Sequence, residues 1–249
     1  MADSVARAPC LVANLGLVPY DQALALQQRI HQARVGGAGP DVLLLLEHPP
    51  TITLGRSARA EHLLSAPELL ARRGIALHAV GRGGDVTYHG PGQLVGYPIL
   101  DVSTYRGALS RYLRDLEQML IDVLASFGVR GERAEGLTGV FVGGAKIAAI
   151  GVQVKRWVSL HGFAMNVSTD LSAFGHIVPC GIRDRAVTSL AEHVHPAPCM
   201  GEVARTVVSS FATVFGREMT WGAGASWPQH PLADGRVTEG RPPTCSDRA

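Results

Sequence analysis

The spacing of hydrophobic positions changes several times along the chain, and each change marks an element. Ala23, Leu24, Leu26 and Ile30 recur at near-helical spacing between Asp21 and Ala33, which predicts a helix stopped by Gly36 and Gly37. Asp41 to Glu47 is a short apolar run suited to a buried strand. Thr51 to Leu54 alternates and is β-rich, so a second strand follows the Pro49-Pro50 break. Pro67 to Arg73 reads as a short helix with Pro67 in its first turn. Ile75 to Val80 and Leu94 to Leu100 read as strands. The clearest helix carries Leu109, Tyr112, Leu113, Leu116, Leu120, Val123, Leu124 and Phe127 as one stripe of period about 3.6, opposite Arg111, Arg114, Asp115 and Asp122. Gly139 to Val142 and Ala145 to Val154 are β-like and joined by Gly143-Gly144, the mark of a tight hairpin. A further strand covers Trp157 to Val167, a turn or short helix Ser168 to Gly175, and a last amphipathic helix Gly201 to Phe215.

Between the strands at Ile75–Val80 and Leu94–Leu100 the pattern breaks into Arg82-Gly83-Gly84-Asp85-Val86-Thr87-Tyr88-His89-Gly90-Pro91-Gly92-Gln93. Four glycines in this run cannot sit in a regular helix, where each costs about 1 kcal/mol relative to alanine. They offer backbone freedom and close approach of the main chain to something else. A ligand-binding floor and a purely structural loop both fit.

Strands and helices are mixed without strict βαβ alternation. The expected class is α/β, with mixed, largely antiparallel sheets packed with helices. One domain is expected over residues 1–216. Glycine, proline, serine and charges dominate towards the C-terminus, so 217–249 is expected to be a flexible tail.

Composition narrows the function classes. Of 249 residues, 46% are hydrophobic and 18% charged, the balance of a globular protein. A formal charge of +2, without a lysine/arginine block, gives no reason to expect nucleic acid. The longest apolar run, Val42 to Leu46, is far short of a membrane span. No signal peptide is expected from Met1 to Pro9, which carries Asp3 and Arg7. Cys10, Cys180, Cys199 and Cys245 are scattered without a CxxC, which suits a reducing, cytoplasmic compartment. A Cys180–Cys199 bridge stays open at this point.

Two residues stand out chemically. Cys180 lies between Pro179 and Gly181, a bend that leaves a thiol open on one side, whereas a structural cysteine usually sits in an apolar element. A nucleophilic thiol needs a cationic partner or a base. Lys146 follows the Gly143-Gly144 turn, and strand alternation places it on the face of Ala148, Ile150 and Val152. Desolvation there would lower its pKa; the plainer reading is a lysine that snorkels into water. His48 and His161 are candidate pocket residues or ordinary hydrogen-bonded histidines. His193, His195 and Cys199 match no complete zinc pattern, and neither a Gly-x-Ser-x-Gly elbow nor a phosphate loop is present.

Four motifs occur in order: Arg82 to Leu94, Gly144-Ala145-Lys146-Ile147-Ala148-Ala149-Ile150-Gly151, His161-Gly162-Phe163-Ala164-Met165-Asn166, and Pro179-Cys180-Gly181-Ile182. Together they resemble the octanoyltransferase family, the lipoyl(octanoyl) transferases of the biotin/lipoate protein ligase superfamily, from about residue 11 to 215. The resemblance implies a biotin/lipoate ligase-like catalytic domain. It implies transfer of an octanoyl group from octanoyl-acyl carrier protein to a lysine of the lipoyl domains of 2-oxoacid dehydrogenase E2 subunits and of the glycine-cleavage H protein. It assigns Cys180 to the thioester and Lys146 to lowering the thiol pKa and relaying protons. It maps the acyl pocket onto Arg82, Gly83, Gly84, Asp85, Val86, Thr87, Tyr88 and His89, onto Ala149, Ile150 and Gly151, and onto Gly162, Phe163 and Ala164. No cofactor or metal is expected, and the protein is expected to act as a cytoplasmic monomer. Small residues at 149, 151, 162 and 164 would leave room for an alkyl chain; at about 0.8 kcal/mol per methylene, eight carbons gain on the order of 5 kcal/mol.

Three other readings stand beside this one. An ATP-dependent lipoate or biotin ligase shares a related arginine–glycine–glycine element but needs no nucleophilic cysteine, so the Pro179–Ile182 motif argues against it. A non-catalytic acyl-binding protein would form no thioester. A cysteine hydrolase would pass the acyl group to water.

Overall fold

A computed structural model describes residues 7–179, 186–222 and 245. Its centre is a seven-stranded sheet in the order β10-β1-β2-β6-β9-β8-β7. The strands are β1 (Ala8–Leu17), β2 (Asp41–Glu47), β6 (Gln93–Ile99), β7 (Val140–Val142), β8 (Ala145–Lys155), β9 (Val158–Asn166) and β10 (Arg217–Trp221). The β10–β1 and β1–β2 pairs are parallel, and the other four ladders are antiparallel. A smaller sheet, β4-β3-β5, comprises β3 (Thr51–Leu54), β4 (Ala76–Ala79) and β5 (Val86–His89).

The apolar run of β2 is explained by layers on both sides. Leu43 and Leu45 face α3 (Leu109–Ser126) and α4 (Met200–Phe215), through Leu116, Leu120, Val123, Val207 and Phe211. Val42, Leu44 and Leu46 face α1 (Tyr20–Val35), through Ala23 and Leu26. A strand covered on both faces has no polar phase to show. Of the stripe expected on α3, Tyr112, Leu116, Leu120, Val123 and Leu124 are buried, Leu109 is exposed, and Glu117 and Met119 join the buried face. The small sheet has its own core, where Ile52, Val86 and Tyr88 meet Leu70 of α2 (Pro67–Arg72) and Phe174. No helix among the described residues is long and apolar enough to cross a membrane.

Several expectations need correction. Arg217–Trp221 pairs in parallel with β1, so the sheet continues past the boundary expected at residue 216. This edge strand is half exposed, and its weak apolar pattern reads as tail. The stretch 223–244 lies outside the described residues. Cys199, which caps α4 by accepting from Glu202 N–H, is bonded to Cys245, a pairing the scattered cysteines did not reveal. Two tight hairpins shape the site. Gly143 (φ 55) and Gly144 (φ 81) turn β7 into β8 as their sequence predicts. Arg156 (φ 52) and Trp157 (φ 63) turn β8 into β9 in the same left-handed region without a glycine, so the pattern marked a break after Val154 but not a tight hairpin.

Candidate active site

The glycine-rich run folds back over the middle of β8 and β9. Gly83 N–H donates to Val152 O at 2.9 Å, so the run is hydrogen-bonded to β8. Side chains beyond glycine do not fit at the contact: a Cβ on Gly151 would stand 2.9 Å from Gly83 O. Between run and strands lies a narrow slot of about 40 Å³. Arg82, Gly84, Asp85, Thr87 and His89 line one wall, and residues 149–151 and 162–164 the other. Tyr20, Tyr97 and His161 stand at its inner end.

Strand alternation decides which members of the run face the slot. Thr87 and His89 point into it, whereas Val86 and Tyr88 point the opposite way, into the small-sheet core, with Tyr88 edge-on to Phe174. Val86 and Tyr88, both assigned to the acyl pocket by resemblance, are therefore core residues. Ile150 and Phe163 border the slot, but their side chains pack in the main core. The missing side chain of Gly162 serves strand packing, since a Cβ there would lie 2.2 Å from Gly96 O.

Arg82 is 8% exposed, and its guanidinium donates to Thr53 O and Thr53 Oγ1 (both 2.8 Å) and to Gly83 O. A chain of polar contacts starts here. Thr53 Oγ1 reaches His89 Nε2, and His89 Nδ1–H donates to Gln93 Oε1 at 2.8 Å. Gln93 Nε2 donates to Asn166 Oδ1, and Asn166 Nδ2 to Thr188 O. Thr188 N–H ends the chain on Lys146 O. His48 Nδ1–H donates to Val18 O, so its Nε2 accepts from Tyr97 O–H, each at 2.7 Å. Burial lowers the pKa of His48 and of His161 to about 4, and that of His89 well below the ordinary value, with His48 and Arg82 adding to the shift. All three imidazoles are neutral at pH 7. Burial raises the Tyr20 phenol to about 12.

Lys146 lies at the other end. Its side chain lines a recess with Thr87, Gln93, Ala149, Ala164 and Asn166, three of which, Thr87, Ala149 and Ala164, also line the slot. Slot and recess are therefore neighbours that share a wall. Lys146 does not share the face of Ala148, Ile150 and Val152. The register of β7 against β8 shifts between Val140, opposite Ala148, and Phe141, opposite Lys146. Beyond that bulge Ala148 sits in the main core, whereas Lys146 is turned to the side of Ala149. Lys146 is 7% exposed; its Nζ donates to Thr138 O at 3.3 Å and stands 5.3 Å from the centre of the Phe141 ring. The adjoining Gly139 N–H is held by Glu117 Oε1 from α3, a fully buried carboxylate that also pairs with Arg114 and Arg133.

Cys180 lies outside the described residues, with the rest of 180–185. The residues on either side converge on the recess: Pro179 and Val187 line it, and Lys146 N–H donates to Ala186 O. Thr53, Gln93, Asn166 and Thr188 were missed as site residues. Gln93 and Asn166 stand inside the quoted motifs, but only the fold shows them joined. Among the described residues the one group with metal-ligand spacing is Cys199, Glu202 and Cys245, and its two thiols form the disulfide.

Residues 19–212 match the family described as the lipoyl protein ligase A/B catalytic domain. The chain is 53% identical over 215 residues to a curated octanoyltransferase of Gloeobacter violaceus, covering 86% of this chain and 94% of the relative. It is 50% identical to one of Solibacter usitatus, covering 86% and 96%. Among solved structures, lipoate-protein ligase A bound with ATP superposes with a TM-score of 0.68 at 17% identity, covering 86% of this chain and 87% of that one. A bi-partite lipoate protein ligase from Thermoplasma acidophilum gives 0.67 at 19%, covering 86% and 85%. At such identities the structures speak for the fold alone.

Proposed function

The chain belongs to the lipoyl protein ligase A/B catalytic family and acts as an octanoyltransferase in protein lipoylation, and we propose that it does so by two acyl transfers through a thioester on Cys180. The observation that carries this mechanism is the shared wall of slot and recess, which brings a buried lysine next to a narrow groove lined by small residues. Pro179 and Val187 support Cys180 as the partner, because the chain leaves and re-enters on that same recess.

In the first half-reaction the Cys180 thiolate attacks the thioester carbonyl of octanoyl-acyl carrier protein. The carbon–sulfur bond to the phosphopantetheine breaks, and the departing thiolate takes a proton from the Lys146 ammonium. In the second, the amine of a lipoyl-domain lysine attacks the octanoyl–Cys180 carbonyl. Neutral Lys146 takes the amine proton, and the Cys180 thiolate leaves. Lys146 returns to its starting state, so the cycle balances without ATP. The alkyl chain lies in the slot between Thr87 and Ala149–Gly151, sheltered from water.

Intact-mass analysis after incubation with octanoyl-acyl carrier protein tests this. The expected product is one added octanoyl group, released by hydroxylamine and absent in Cys180→Ala. Lys146→Ala is expected to move the pH profile of Cys180 alkylation upward and to cut transfer by about 10²–10⁴-fold. No adduct on the wild-type protein, or transfer that needs octanoate and ATP and survives Cys180→Ser, would replace the thioester mechanism with an adenylating one.

A further inference from the structure

His161 lines the slot beside Tyr20 and Tyr97, and it also borders a second space. Between α1 and the β8–β9 hairpin lies a second cavity of about 750 Å³, lined by Leu24, Val35, Val80 and Leu160 and by the polar side chains of Gln28, His31, Gln32, Gln153, Lys155 and Arg156. Among the described residues His161 is the one that lines both spaces. Its position is unusual. It is 3% exposed and holds a left-handed backbone (φ 58) in the interior of β9, a conformation that favours glycine. Its N–H is pinned to Gln27 Oε1 of α1 at 2.9 Å. The ring meets Tyr97 edge-on, and its Nδ1 has no hydrogen-bond partner among the described residues. Packing rather than a hydrogen bond from Nδ1 keeps that side of the ring in place.

The reach to this ring matches a particular chain length. Ala149 stands at the shared wall, and Val152 is the residue paired with His161. Three strand steps join them, about 10 Å at 3.3 Å each. An extended octanoyl chain, seven carbon–carbon bonds of about 1.5 Å in a zigzag, spans roughly 9 Å, within about 1 Å of that distance.

We infer that His161 is the length-determining residue of the acyl site: its ring closes the slot against the outer cavity and fixes where an alkyl chain must end. This rests on the reading of the slot as the acyl site. The outer cavity is then an unused extension, and removing the ring connects the two. His161→Gly removes it and also suits the left-handed backbone; His161→Asn shortens the side chain and tolerates the same φ.

The test measures kcat/KM with octanoyl- and dodecanoyl-acyl carrier protein, using a lipoyl domain as acceptor. Burying a methylene is worth about fourfold, so four more set a ceiling of roughly 200-fold on the change. The dodecanoyl-to-octanoyl ratio is expected to rise at least tenfold in His161→Gly and less in His161→Asn. Leu24→Phe, which narrows the outer cavity, is expected to reduce the gain in the glycine background. A ratio within threefold of wild type in both folded variants overturns the inference while the acyl site stands. Wild-type protein that transfers no octanoyl group overturns the site reading, and the length limit with it.

Discussion

Lowering the pH from 6.5 to 4.5 is expected to destabilise this fold through three histidines beside the slot. His48 and His161 have pKa values lowered to about 4, and His89 lies well below its ordinary value. In the unfolded chain each titrates near 6.5. Between those limits the unfolded state binds protons that the folded state refuses, so stability is full above about pH 6.5 and falls as the pH falls towards 4. Each histidine contributes a slope of about 1.4 kcal/mol per pH unit, and three together about 4 kcal/mol per unit near pH 5. Over two units that is a large part of a typical 5–15 kcal/mol. Urea unfolding at half-unit pH steps measures the slope. The control is His48→Gln, which keeps a donor for Val18 O and an acceptor for Tyr97 O–H but does not titrate. It is expected to lose about a third of the histidine slope. Ion-paired carboxylates also respond to acid, but equally in both proteins. Identical slopes in wild type and His48→Gln would refute a neutral buried His48.

Two further predictions concern the supports of the site. Glu117→Gln weakens the hold on Gly139 N–H and leaves Arg114 and Arg133 without their carboxylate; a loss of about 1–3 kcal/mol in stability is expected, with kcat down about tenfold and KM for the acyl carrier protein little changed. A KM effect alone would place Glu117 in carrier binding instead. Gly162→Ala puts a Cβ 2.2 Å from Gly96 O, so strands β6 and β9 must part; a cost of at least about 1–3 kcal/mol is expected in thermal unfolding, and an unchanged Tm would contradict the packing described.

The long amphipathic helices and the buried run of β2 were legible because one period governs each for its whole length. The hairpin at Gly143-Gly144 was legible because its glycines state their conformation. The face of Lys146 was not, because one register shift against β7 reverses the phase of the strand at that residue. The glycine-rich run was read as one uniform wall, yet β5 forms inside it, and alternation sends Val86 and Tyr88 to the core. The polar chain from Arg82 to Lys146 links residues distant in sequence through two sheets, a relation no local pattern carries. His161 was legible only as one of two candidate pocket histidines; its importance comes from two cavities meeting at one side chain.

The contact between Gly83 and Val152 has a consequence for what selection can change. The gap between the glycine-rich run and β8 is set by a main-chain hydrogen bond and by glycines that admit no side chain. The slot's cross-section is therefore a property of backbone spacing, and substitution there breaks the wall before it reshapes the groove. Its depth, by contrast, is set on our reading by the His161 side chain, which a substitution can change. A lineage carrying this fold is therefore freer to change the length of the chain it accepts than the spacing of the walls that hold it.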